Sequence, residues 1–246
     1  MILKRRKRYG IGRELRVIIP ELLDYRYGYL YNPAVVMDNG LIASTGWKIP
    51  TTAEYSALYT YLGGEAVAGG VLKSIRTDVS RPSWLSPNTG ATDLYNFFGL
   101  PNGARDGSLS AGFTSIGAMM HVWTGTFGGG SFRFMRLKHD TAEAEDNFIF
   151  TPETPGMGIR LARDYNPAEG LADGDILVNG YQGNDGKLYD CVKIGDLVFT
   201  RFLICETQFR NGQTIPEVKD GTAWLAADSP ARCSYNNDES NAYGYE

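Results

Sequence analysis

Turn-forming residues interrupt this chain so often that no long regular element fits between them. Thirty glycines and eleven prolines are spread through 246 residues without a fixed period. That pattern speaks against collagen-like or low-complexity sequence and for many turns and irregular loops. With 43% apolar and 12% aromatic residues, the chain has enough material for a packed core in one large domain or two small ones.

The clearest element is a helix over residues 51–62. Thr51 stands as N-cap, Glu54 completes a capping box three residues on, and Gly63-Gly64 stops it. Tyr55, Leu58, Tyr59 and Leu62 fall on one face, which must pack on something. A second short helix is expected over 65–73. Ser86-Pro87-Asn88-Thr89-Gly90 and Leu100-Pro101-Asn102-Gly103 read as turns. Short apolar and aromatic runs predict strands at 14–23, limited by Pro20, and at 119–124, 131–137, 147–151, 158–163, 175–178, 187–194 and 197–203. Gly195-Asp196 marks a hairpin between the last two.

Charge is unevenly placed. Residues 1–16 carry Lys4, Arg5, Arg6, Lys7, Arg8, Arg13 and Arg16 against Glu14, a sum of +6, so a total of −4 leaves −10 on the remainder. A basic arm of this kind attracts an acidic surface, nucleic acid or anionic lipid, or is simply a solvated tail. Arg13, Glu14 and Arg16 break the apolar run after it, so no secretion signal is read there, and no window is apolar enough to span a bilayer. The expectation is a soluble protein, cytoplasmic or part of an assembly released from a cell. Cys191, Cys205 and Cys233 are odd in number and widely spaced, which suggests neither a disulfide framework nor a metal site.

Several motifs are more specific. Gly46-Trp47-Lys48-Ile49-Pro50-Thr51-Thr52-Ala53-Glu54-Tyr55 resembles the GWxxPTxxEW signature of the Fibrobacter succinogenes major paralogous domain. The runs from Val67 to Lys73, Pro87 to Thr92 and Leu100 to Arg105, with Trp84 and Phe97, are similar to the middle of that family, and Gly158 to Asp164 to its closing strand. The stretch 183–244 is similar to the family's opening half: Asp185 to Tyr189, Val192 to Gly195, Asn211 to Pro216 and Cys233 to Asp238. It comes after the family's end, while Tyr27-Gly28-Tyr29-Leu30-Tyr31-Asn32 supplies the continuation of Tyr243-Gly244-Tyr245. The order is that of a circular permutation, or of halves exchanged between neighbouring chains. The domain reading is therefore a basic arm over 1–26 and one domain over 27–246, with 27–166 as the later half of the family pattern and 183–246 as the opening half. Phe199-Thr200-Arg201-Phe202-Leu203 departs from the family, which usually has an aromatic, a Met and an acid-amide pair there. The resemblance implies an α+β, C-type-lectin-like fold related to the formylglycine-generating-enzyme scaffold: a small twisted antiparallel sheet, two helices and long ordered loops.

Chemistry-bearing constellations are sparse. The two histidines, His121 and His139, sit in no GxSxG or HExxH context. His121 reads as a core or interface residue of an apolar strand. The glycine run at 125–130 lacks the Lys-Ser/Thr ending of a phosphate loop. Trp47, Trp84 and Trp224 lie in family motifs and read as core. Tyr235, Asn236, Asn237, Asp238 and Tyr243 form a Tyr- and amide-rich run of the kind adaptable binding surfaces use, and are the candidate ligand-binding residues; a polar turn and a tyrosine seam are the competing readings. No catalytic residue, metal ligand or cofactor is assigned.

The expected function is that of a non-enzymatic virion structural protein, a head or tail fibre or decoration subunit. Its expected partners are further copies of itself in a dimer or trimer, other virion proteins through the basic arm, and a host-surface glycan. The alternative is a bacterial cell-surface adhesin of the same family.

Overall fold

The computed structural model describes residues 27–37, 41–76, 83–108, 110–150 and 153–242. The expected strand at 14–23, the basic arm and Tyr243 lie outside the described residues.

Strands dominate, because most apolar runs find a partner one tight turn away. Helices α1 (Pro33–Met37), α2 (Thr52–Tyr61) and α3 (Glu65–Leu72) follow strand β1 (Leu30–Tyr31). Next come β2 (Asn102–Arg105), β3 (Phe113–Ile116), β4 (Met119–Gly128), β5 (Ser131–Lys138), β6 (Ala144–Phe150) and β7 (Ala162–Asp164). The C-terminal part supplies β8 (Ile176–Gln182), β9 (Leu188–Ile194), β10 (Leu197–Thr200), α4 (Gly221–Leu225) and β11 (Arg232–Cys233). They form a five-stranded sheet in the order β3-β2-β4-β5-β6, a four-stranded sheet β7-β10-β9-β8 and the pair β1-β11. All named pairs are antiparallel except β2 with β4, which meet in parallel at Gly103 and Met120.

The α+β, C-type-lectin-like expectation, with one small sheet and two helices, is thereby overturned. Three sheets form among the described residues, and α1 and α4 are five-residue pieces. Two strands form where the sequence carries no strand signal. Asn102-Gly103 is held in an interior strand because the Asn102 side chain acts as a ladder partner, donating to the His121 carbonyl at 3.0 Å and accepting from the His121 amide at 2.9 Å. Residues 113–116 pair with β2 on the outer edge. The 158–163 run is regular only from Ala162.

Helix α2 forms as its sequence dictates. Thr51 accepts from the Glu54 amide at 3.2 Å, and the Glu54 carboxylate accepts from the Thr51 amide at 2.8 Å. Tyr55, Leu58, Tyr59 and Leu62 are buried with Trp84, Phe97, Met120 and Phe199. Helix α3 packs so closely that side chains are excluded: a Cβ on Gly69 would lie 2.1 Å from the Glu143 carbonyl oxygen, and one on Gly70 2.4 Å from that of Gly90.

The C-terminal segment packs on the start of the described chain. Leu30 pairs with Cys233 and Tyr31 with Arg232, and the Tyr29 hydroxyl donates to Glu239 at 2.7 Å. The Asn32 side chain donates to the Ser229 carbonyl at 2.9 Å and accepts from the Ala231 amide at 3.0 Å. Arg105 fastens the same seam: fully buried between Trp224 and Phe113, it donates to the carbonyls of Ala111, Val218 and Lys219.

Candidate functional site

The four tryptophans separate into two groups. Trp84, Trp123 and Trp224 are buried, and each indole N–H donates to a backbone carbonyl, of Gly99, Tyr31 and Thr154 respectively. Trp47 is half-buried, and among the described residues its N–H has no protein acceptor. The core assignment made from sequence holds for Trp84 and Trp224, whereas Trp47 is only partly buried, packed against the edge of the core.

Local geometry explains the exception. Gly46 has φ +86°, a conformation open to glycine at little cost, and the Trp47 amide closes a turn onto the Ser44 carbonyl at 3.0 Å. Lys48 then exchanges two backbone hydrogen bonds with Ala162 at the edge of the four-stranded sheet. This pins the backbone on both sides of the indole and leaves the side chain at the rim. Tyr181, itself buried, backs the ring at 4.9 Å between centroids.

In front of the ring lies a depression of about 300 Å³ lined by Gly46, Trp47, Lys48, Arg163 and Asp164. Its charges are closed on one another. Lys48 Nζ contacts Glu54 at 2.6 Å and Asp164 at 3.0 Å, and the Glu54 hydrogen bond holds the ammonium above its usual range. Arg163 makes a two-pronged pair with Glu169 at 2.8 and 2.7 Å, with its guanidinium 5.6 Å from the Trp47 ring.

The loop behind Trp47 is braced by a buried acid. Glu206 is fully buried; one carboxylate oxygen accepts from the Asn184 amide at 2.7 Å, and the other has no partner. Burial, and then the nearby Asp185 carboxylate, push the Glu206 carboxyl up to about 7. Asn184 in turn donates its side-chain amide to the Ile42 carbonyl at 2.9 Å and accepts from the Ser44 hydroxyl at 3.1 Å. The Ser44 amide donates to the Tyr181 hydroxyl at 3.2 Å. The contacts therefore run unbroken from Glu206 to the residue that backs Trp47.

The family profile described as the Fibrobacter succinogenes major domain matches residues 20–162, more than half of the chain and including the Gly46-to-Tyr55 signature. The chain belongs to this family. No curated protein and no solved structure matches it. As a member of the Fibrobacter succinogenes major domain family, the protein places its signature Trp at a rim rather than in its core.

Of the residues singled out from sequence for ligand binding, Tyr235, Asn236, Asn237 and Asp238 do not line this depression. Tyr235 is buried against Phe113 at 5.3 Å. Asn236 and Asn237 take positive φ values of 56° and 58° in a tight turn, and Asn237 donates to the Lys219 carbonyl. Asp238 caps the next turn by accepting from the Ser240 amide at 2.9 Å. Asn236, Asn237 and Asp238 thus form a polar turn. A second depression, of about 520 Å³, is lined by Glu65, Ala66 and residues 143–147. It has no aromatic wall, and its Glu145 is already paired with Arg136 and Lys138.

His121 is buried beside Phe134, and burial lowers it to about 4, so it stays neutral. His139 is half-buried, its Nδ1 3.0 Å from the Ser86 carbonyl oxygen. The three cysteines are free and buried, and burial pushes Cys191 and Cys205 up to about 12. Among the described residues no helix is long and apolar enough to cross a membrane.

Sequence reasoning missed Trp47 as a surface residue because its motif marks family membership and says nothing about exposure. It missed Glu206 because a single acid after Leu203-Ile204-Cys205 resembles any strand exit. The one signal available was the Gly-Trp pair itself, since a glycine before a large aromatic often marks a turn that carries the side chain outward.

Proposed function

We propose that the protein is a non-enzymatic attachment protein that holds a glycan against Trp47, with its β-rich body as the rigid frame. One observation carries this reading: among the described residues, Trp47 alone of the four indoles combines a partly exposed ring, an N–H without a protein acceptor and a depression beside it. An aromatic face with one polar handle suits a sugar, whose C–H faces stack while its hydroxyls hydrogen-bond. The setting we propose is a virion, as a head or tail fibre or decoration subunit. The sequence supports that setting with a +6 arm against a −10 remainder, an arrangement suited to anchoring on an acidic shell.

Two measurements test the proposal. Trp47→Ala should abolish attachment to host cells or their isolated surface glycans while circular dichroism stays unchanged; undiminished attachment would remove Trp47 from the site. Mass spectrometry of density-purified particles should find this chain at fixed stoichiometry with capsid proteins. Recovery only from cell envelopes would instead establish the bacterial cell-surface adhesin.

A further inference from the structure

The chemical class of the ligand follows from how the charges around Trp47 are spent. Five ionised side chains lie at or next to the depression: Lys48, Arg163, Glu54, Asp164 and Glu169. The two cations are each committed to carboxylates, Lys48 to Glu54 and Asp164, and Arg163 to Glu169 through both terminal nitrogens. Among the described residues, two positive charges against three negative ones leave the rim at −1.

An anionic ligand would have to take a cation from an existing pair and would leave a carboxylate unmatched in a net negative setting. Its desolvation would not be repaid, because among the described residues no unspent guanidinium or ammonium stands at the rim. A cationic ligand reaching for the ring face meets the Arg163 guanidinium 5.6 Å from the ring and the Lys48 ammonium on the neighbouring residue. Both repel it where the indole would attract it.

What the rim does offer is hydrogen bonding without net charge transfer. Among the described residues the Trp47 N–H is a donor with no protein acceptor. The Asp164 side chain is 82% exposed, so its carboxylate can accept from hydroxyls without losing Lys48, and the Lys48 side chain is 43% exposed. A donor, an acceptor and a stacking surface around about 300 Å³ match one sugar ring with free hydroxyls.

We propose that the Trp47 depression binds an uncharged hexopyranose unit and discriminates against sialic and uronic acids. This rests on the reading of Trp47 as the binding shelf. Recognition then depends little on ionic strength, because no ion pair forms between ligand and protein.

The test uses the full chain, immobilised, against two sets of oligosaccharides. One set ends in glucose, galactose or mannose, and the other in sialic or glucuronic acid. The expected result is binding within the neutral set, unchanged between low and high salt, and weakened about tenfold or more by both Trp47→Ala and Asp164→Asn. Trp47-dependent binding of the acidic set, falling steeply with salt, would overturn the ligand class while leaving Trp47 as the shelf. Binding of neither set, or binding indifferent to Trp47→Ala, would overturn the shelf itself.

Discussion

Replacing Glu206 with Gln should change how stability depends on pH more than it changes stability at any one pH. In the folded chain the Glu206 carboxyl lies near 7, against an ordinary value of 4.5. A tenfold difference in proton affinity between the folded and unfolded chain is worth about 1.4 kcal/mol, so the buried carboxyl accounts for about 3 kcal/mol of pH-dependent stability. Because the folded value is raised, the folded state holds the proton more tightly. The contribution is fully present below about 4.5 and is lost as pH rises through about 7. Above that, the protein carries a buried carboxylate with one unpaired oxygen, beside the Asp185 carboxylate to which Lys187 is already bound. Gln keeps an oxygen for the Asn184 amide and removes the charge. Urea denaturation of both proteins across pH 5 to 8.5 reads the difference. Glu206→Gln should gain on the parent as pH rises, by a total approaching about 3 kcal/mol. Comparing the two proteins cancels Asp93, also raised by burial, to about 6. A difference in unfolding free energy that stays constant over this range would refute the reasoning.

Three further outcomes are expected. Lys73 is buried, and its ammonium donates to the carbonyls of Thr89, Lys138 and Thr141 at 2.8 to 2.9 Å; Lys73→Met should cost about 3 kcal/mol in urea denaturation by leaving those oxygens without a donor. Gly69→Ala should cost about 1–3 kcal/mol by the same assay, because its Cβ meets the Glu143 backbone and not a side chain that can swing away. The three buried thiols should resist an aromatic disulfide reagent in the native protein and react together once denaturant unfolds it; fast reaction of any one before unfolding would contradict its burial.

Local signals were legible wherever the energy that decides them is local. The capping box of Thr51 and Glu54 satisfies two backbone donors within one turn, so α2 was readable from four residues and an apolar stripe. The Gly195-Asp196 turn likewise announced the hairpin of β9 and β10. Family membership was legible too, because a spaced set of Gly, Trp, Pro and Asn residues survives without any knowledge of packing.

The sequence by itself therefore determined the α2–α3 pair, the β9–β10 hairpin, most of the strands and the family. Tertiary structure alone decided that those strands divide into three sheets, since pairing β2 against β4 depends on Asn102 meeting His121 across a loop. It also decided the site. Exposure of an indole, the closing of Lys48 and Arg163 onto carboxylates, and the burial of Glu206 each depend on residues distant in the chain. Solvent access and electrostatic pairing are properties of the packed surface, and no local pattern encodes them.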